Sequence, residues 1–280
     1  MTTPDALTGR EGWPLSVISY GGGVQSTALV VLATQGEVVA SHALFANVGD
    51  DSEHPATLRY VRDVMAPWAA GRGVEVVTLD RRRRDGTVET LWGRLMREGS
   101  RSLPIPVRMA NGAPGNRQCT HDFKMRVVAR WLQAHGATRA TPATVMIGIS
   151  WDEFHRIGNK KAGPYERPYY PLIDRRLTRE DCKRIIERAG LPVPGKSSCF
   201  FCPFHRPSFW ATMRRDEPEL FAKSATLERT LNARRVVLGK DPVWLTRFNR
   251  PLTDIPEAQP ALDFGTGPGA EGCDDGYCWT

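Results

Sequence analysis

Gly21-Gly22-Gly23-Val24-Gln25-Ser26-Thr27 decides how the rest of the chain is read. The apolar run 15–20 precedes it, and a helical pattern, Ala28-Leu29-Val30-Val31-Leu32-Ala33, follows. A strand that turns through consecutive glycines into a helix opening with Ser and Thr is suited to holding phosphate. Glycine lets the main chain approach the anion, and the free N–H groups and positive dipole end of the helix face it. The hydroxyls of Ser26 and Thr27 would add donors. The loop has neither a Gly-Lys-Ser/Thr ending nor a G-x-G-x-x-G repeat, so the two common nucleotide loops are excluded. A glycine turn capped by Ser26 is the plain structural alternative.

Outward from this loop, apolar runs at 15–20, 41–47, 74–79 and 144–149 alternate with helical patterns at 26–35, 55–71 and 120–135. The alternation predicts an α/β fold, a Rossmann-like parallel sheet with helices on both faces and its ligand at the C-terminal ends of the strands. Segments 178–190, 207–222 and 224–238 predict helices outside that sheet. The expected organisation is a disordered N-terminus (1–12), a nucleotide-binding α/β domain (13–175), a helical substrate region (176–262) and a flexible tail (263–280). A chain of 280 residues is long enough to bury a full core.

Six cysteines are present: Cys119, Cys182, Cys199, Cys202, Cys273 and Cys278. The first residues lack a basic, apolar leader and no apolar stretch reaches membrane-spanning length, so a cytoplasmic protein without a membrane partner is expected. In a reducing compartment cysteine clusters indicate metal or redox work. Cys199-Phe200-Phe201-Cys202 is a Cys-x-x-Cys turn, and Cys119 precedes an amphipathic helix. Three thiolates suit a 4Fe–4S cluster with one iron left open. A zinc site completed by His121 or His205, or a redox dithiol with Cys119 unrelated to it, are the rivals. Cys182 follows a capping-box pattern, Thr178 to Asp181, and reads as core packing. Cys273 and Cys278 sit on the glycine-rich tail, as sulfur carriers, as a disulfide clip or as a loose end.

Charge is uneven. Residues 81–130 hold twelve Lys/Arg against four Asp/Glu, while the whole chain is only +7. Arg81-Arg82-Arg83-Arg84 follows a strand, with Trp92 and Phe123 nearby as base-stacking candidates. A basic face of this kind suits a polyanion such as nucleic acid; a solvated charge run or a small sulfonucleotide site are the alternatives.

The glycine loop resembles the PP-loop of ATP pyrophosphatases and of adenylyl-sulfate and phosphoadenylyl-sulfate reductases, usually Ser-Gly-Gly-x-Asp-Ser. Gly22, Gly23, Val24 and Ser26 align; Gly21 replaces the first Ser and Gln25 the Asp. Asn47–Pro55 resembles the family's acidic loop after the second strand, and Gly148 to Arg156 its Gly-x-Arg-x-Asp-Glu-Ser-x-x-Arg segment, with Glu153 and Arg156 retained. Tyr170–Asp174 resembles the approach to the substrate half. The resemblance implies ATP phosphates on Gly21, Gly22, Gly23, Gln25, Ser26 and Thr27, and adenine near Phe45 and Asn47, with Gly148 alongside. It implies magnesium at Asp50 and Asp51, with Lys124, Glu153, Arg156 and Asp51 serving the chemistry and Cys119, Cys199 and Cys202 holding the cluster. The implied reaction adenylates an oxygen of nucleic acid, releases pyrophosphate and replaces the oxygen with sulfur. Similarity to the DNA phosphorothioation (Dnd and Ssp) enzymes favours DNA over tRNA. A cysteine desulfurase or other sulfur donor, and self-association, are further expectations. The alternatives are a sulfonucleotide reductase using a tail cysteine and a nucleotide-sensing protein without turnover.

Overall fold

The computed structural model describes residues 15–157 and 162–255. The expected N-terminal segment 1–12 and the tail 263–280, with Cys273 and Cys278, lie outside the described residues. Five strands, β1 (Ser16–Tyr20), β2 (His42–Asn47), β3 (Glu75–Asp80), β4 (Ala143–Ile147) and β5 (Glu166–Tyr169), form one sheet in the order β3-β2-β1-β4-β5. Every pairing is parallel, so the fold is the expected α/β, Rossmann-like arrangement.

Successive strand residues point to opposite faces. Ile18, Tyr20, Ala43, Phe45 and Met146 pack in the core that holds α1 (Val24–Thr34). Val17, Leu44, Ala46, Val145 and Ile147 pack with Val128 and Leu132 of α5 (Arg126–Ala134). Both faces are covered, which is why these strands read as continuous apolar runs. The strand order reverses between β1 and β4, and the crevice at their carboxyl ends is where such sheets take ligands.

Three features differ from expectation. β5, Glu-Arg-Pro-Tyr, was not expected; Pro168 lacks an N–H but pairs opposite Val145 at the sheet edge, where no second neighbour needs that donor. The helices expected over 55–71 and 120–135 each contain a π turn. α2 (Pro55–Arg59) passes through Tyr60–Met65 into α3 (Ala66–Ala70), and Thr120–Met125 leads into α5. A single widened turn leaves the apolar repeat nearly intact and so is not visible in it. The last two helices break at Glu217, not after 222: α8 is Pro207–Asp216 and α9 is Pro218–Val237. Pro218 opens α9, and a proline drives the residue before it out of the helical region; Glu217 lies at φ −136°, ψ 57°.

Each of the two large cores draws on residues from both sides of position 175. α6 (Pro171–Asp174) leads into α7 (Arg179–Arg188), whose Cys182 and Ile186 are fully buried in the α1 core. Thr178 and Asp181 form the expected capping box, and burial pushes the Cys182 thiol up to about 12. Conversely α4 (Leu91–Met96), Val107 and Phe123 join Phe200, Phe201, α8 and α9 in a separate core.

Candidate functional site

β1 ends at Tyr20 and α1 starts at Val24, so three glycines make the whole turn. Gly22 has φ +76°, and a Cβ there would lie 3.0 Å from Thr57 Cγ2, so glycine is required on both counts. Gly148, just past β4, lies against the start of α1: a Cβ would meet Ser26 N at 2.8 Å. α1 has no side-chain cap and no acidic residue in its first turn. Its first internal bond is Thr27 N–H to Gly23 C=O, 2.9 Å, so Val24, Gln25 and Ser26 have no intrahelical acceptor. The positive end of the helix dipole faces the crevice.

The side chains of this loop depart from expectation. Ser26 Oγ accepts from Gly21 N–H (3.2 Å) and donates to Gly23 C=O (3.1 Å), so it shapes the loop from within. Thr27 is fully buried beside the Tyr20 and Tyr60 hydroxyls, so main-chain groups are what the turn presents. Gln25 accepts from Arg179 Nη1 (3.0 Å) and reaches Ser150 Oγ (3.5 Å), tying α1 to the segment after β4. Glu153 and Arg156 form an ion pair with each other inside the turn Trp151–Arg156. Sequence reading missed Arg179, which no motif marks.

A cleft of about 530 Å³ opens at the carboxyl ends of β2 and β3, lined by Phe45, Asn47, Asp50, Asp51, Thr78 and Thr90 among others. Asn47 shapes the loop above it, accepting from Gly49 N–H (2.9 Å) and donating to Asp50 Oδ1 (2.8 Å). Asp51 accepts from Ser52 Oγ (2.7 Å) and from Thr90 Oγ1 (2.9 Å), which itself caps α4. A second cavity beside Gly21 and Lys124 measures only about 30 Å³. Only the larger cleft has room for a nucleoside.

Residues 195–202 return to this loop. Ser197 Oγ stands 3.0 Å from where a Cβ on Gly23 would be, and Ser198 C=O accepts from His54 N–H (3.1 Å). Phe200 N–H donates to Ser52 C=O (3.2 Å), and Glu53 and Cys199 are antiparallel bridge partners. The Cys-x-x-Cys turn is thus pinned to the acidic loop after β2, and closes with Cys202 N–H to Cys199 C=O at 3.1 Å. Cys119 precedes the π turn that carries Lys124, whose Nζ lies 3.9 Å from Glu53 Oε1. Glu53 and Ser197 were not among the expected site residues, because neither burial nor this return of the chain shows in local spacing.

Cys119, Cys199 and Cys202 are free thiols, and Cys119 and Cys199 pack against the same apolar cluster. Burial pushes the Cys199 thiol well up; the charges of Glu53 and Cys202 add to this and Lys124 opposes it. Burial also raises Cys119, against Arg117 and Lys124. Soft donors that resist ionisation alone are stabilised as thiolates by a metal. Among the described residues, no group of three or more His, Cys, Asp or Glu is gathered as a ready mononuclear site. Of the histidines weighed for zinc, His121 is exposed with Nδ1 on Asp122 (3.1 Å). His205 is buried, donates Nε2–H to Cys199 C=O (2.8 Å), and is held by burial down to about 3.

The basic stretch is only partly a surface. Arg81 donates to Glu89 (2.6 Å) and to Asp122 C=O (2.8 Å), and Arg94 bridges Glu89 and Asp122. Burial acts to raise Glu89, but bonds from Arg94 and Arg81 outweigh it and hold the carboxyl down at about 2. Arg82, Arg83, Arg84, Arg101, Arg126 and Arg130 are exposed. Phe123 is fully buried under Arg81 and Arg94, and Trp92 packs on Phe200 and Phe201, so neither is placed to stack a base. Among the described residues, Trp151 and Phe154, after β4, are the exposed Phe, Trp and Tyr side chains, with rings 6.2 Å apart.

The sequence matches no protein-family model and no curated protein. No helix among the described residues is long and apolar enough to cross a membrane.

Proposed function

We propose that this chain is a PP-loop ATP pyrophosphatase that transfers sulfur to nucleic acid, with DNA favoured over tRNA, in the cytoplasm. The observation that carries the reading is the seating of the Cys199–Cys202 turn beside the glycine loop, through Ser197 at Gly23 and the Glu53–Cys199 bridge. The glycine loop and the segment carrying the thiols come together at the carboxyl ends of β1 and β2, although about 175 residues separate them in the chain.

ATP phosphates would lie at the open N-terminus of α1 and the adenosine in the cleft beside Phe45, Asn47 and Thr78. Magnesium would be held through Asp50, the exposed carboxylate of the cleft. Attack by a substrate oxygen on the α-phosphorus releases pyrophosphate and leaves an adenylated oxygen. Lys124 would offset charge developing between this site and the thiols. Cys119, Cys199 and Cys202 would hold a 4Fe–4S cluster, which when bound supplies a site for sulfur. Exposed arginines at 82–84 and the Trp151–Phe154 pair would contact phosphates and an unpaired base. A cysteine desulfurase would supply the sulfur, which a thiol reduces to sulfide; the sulfide then displaces AMP, which leaves with the substrate oxygen.

The test is pyrophosphate release by anaerobically purified protein given ATP, sulfide and either DNA or tRNA. DNA-stimulated release with sulfur incorporated into the DNA is expected. Stimulation by tRNA alone moves the substrate to tRNA. Sulfite formed from a sulfonucleotide and a thiol, without ATP cleavage, overturns the reading.

A further inference from the structure

Glu53 is the oddest residue at this site. It is 2 % exposed, and its Oε1 accepts no hydrogen bond. A buried carboxylate oxygen without a donor is costly and calls for a partner. Lys124 is the nearest cation, at 3.9 Å, beyond hydrogen-bond reach of Oε1.

The backbone sets the side to which the Glu53 side chain projects. Glu53 and Cys199 stand directly opposite in an antiparallel bridge. Opposed residues in such a pair project to the same side, with Cβ atoms about 5 Å apart. Glu53 therefore stands with Cys199 beside the apolar cluster of Phe200 and Phe201 on which Cys119 also packs, and Cys202 is joined to Cys199 through the turn.

We propose that Glu53 is an oxygen ligand of the metal group that Cys119, Cys199 and Cys202 hold, giving a set of three thiolates and one carboxylate. The proposal rests on the reading of these thiols as an iron–sulfur site. It replaces an open fourth iron with one bound by a hard, weakly held donor, which iron of this kind accepts less readily than thiolate. The carboxylate would shield the fourth iron from solvent until a sulfur donor arrives, and Lys124 would balance its charge.

The full chain, reconstituted anaerobically with ⁵⁷Fe, tests this by Mössbauer spectroscopy and iron analysis. Wild type should show about one iron in four with an isomer shift distinct from the thiolate-bound sites. Glu53→Gln should lose that iron or alter its shift, while circular dichroism stays that of wild type. Glu53→Cys should restore four similar sites, which a purely structural role for Glu53 would not produce. Wild-type iron content and an unchanged spectrum in Glu53→Gln overturn the proposal and leave the cluster reading standing. A wild type that binds no iron under these conditions overturns both.

Discussion

Gly148→Ala tests the junction on which the site is built. A Cβ at this position would lie 2.8 Å from Ser26 N, 3.0 Å from the Gln25 carbonyl carbon and 3.1 Å from Ser26 Cα. All three are main-chain atoms, so no side-chain rotation relieves the contact. Optimal separation for such atoms is about 3.5–4.0 Å, so the start of α1 has to move away from β4 by roughly half an ångström or more. Overpacking of this kind costs about 1–3 kcal/mol, read as a lower urea midpoint with unchanged slope. The shift also moves the N–H groups proposed to face the ATP phosphates. Losing one hydrogen bond to a charged oxygen, worth about 1.5–3 kcal/mol, should raise the Kd for ATP by roughly 10- to 100-fold in calorimetry. Gly36→Ala is the control: its φ is +74° with nothing within 4 Å, so strain should cost about 1–2 kcal/mol without touching ATP affinity. A Gly148→Ala protein as stable as wild type would refute the packing. One that is destabilised but binds ATP unchanged would refute the glycine loop as the phosphate site.

Glu89→Gln should destabilise the protein by about 3–5 kcal/mol at pH 7, because Arg81 and Arg94 lose the buried carboxylate they share. The Glu89 carboxyl is depressed from 4.5 to about 2, so its stabilisation is complete above about pH 4.5 and is lost as pH falls toward 2. Urea titrations at pH 7 and pH 3 should therefore show the gap between wild type and variant narrowing in acid; a constant gap would contradict the ion network. Cys119→Ala, Cys199→Ala and Cys202→Ala should each lose bound iron, whereas Cys182→Ala should keep it and lose only stability through a small core cavity. One zinc and no iron in anaerobic wild type would replace the cluster with a zinc site. Charge reversal at the exposed pair Arg82 and Arg83 should weaken nucleic-acid binding and lower its log–log salt slope by about one unit per lost phosphate contact, with ATP affinity little changed; gel shifts at several salt concentrations measure both.

The parallel sheet was legible because β1, β2 and β4 are buried on both faces and so form apolar runs, and because glycine at 21–23 leaves one sterically sensible turn. The Thr178–Asp181 cap and the burial of Cys182 were legible too, since capping and helical periodicity act within a few residues. β5 was hidden because Pro168 is tolerated only by virtue of its edge position, a property of the assembled sheet. The roles of Arg81, Glu89, Arg94 and Asp122 were hidden for a similar reason: a charge run looks solvated until a distant carboxylate is folded against it. Local chemistry thus determined which residue types were available and which element each would join. Tertiary structure alone decided that Glu53, Lys124, Cys119 and Cys199 share one corner, because that meeting depends on the crossing of β2, the π turn before α5 and the return of 195–202, and no short-range pattern encodes those three contacts.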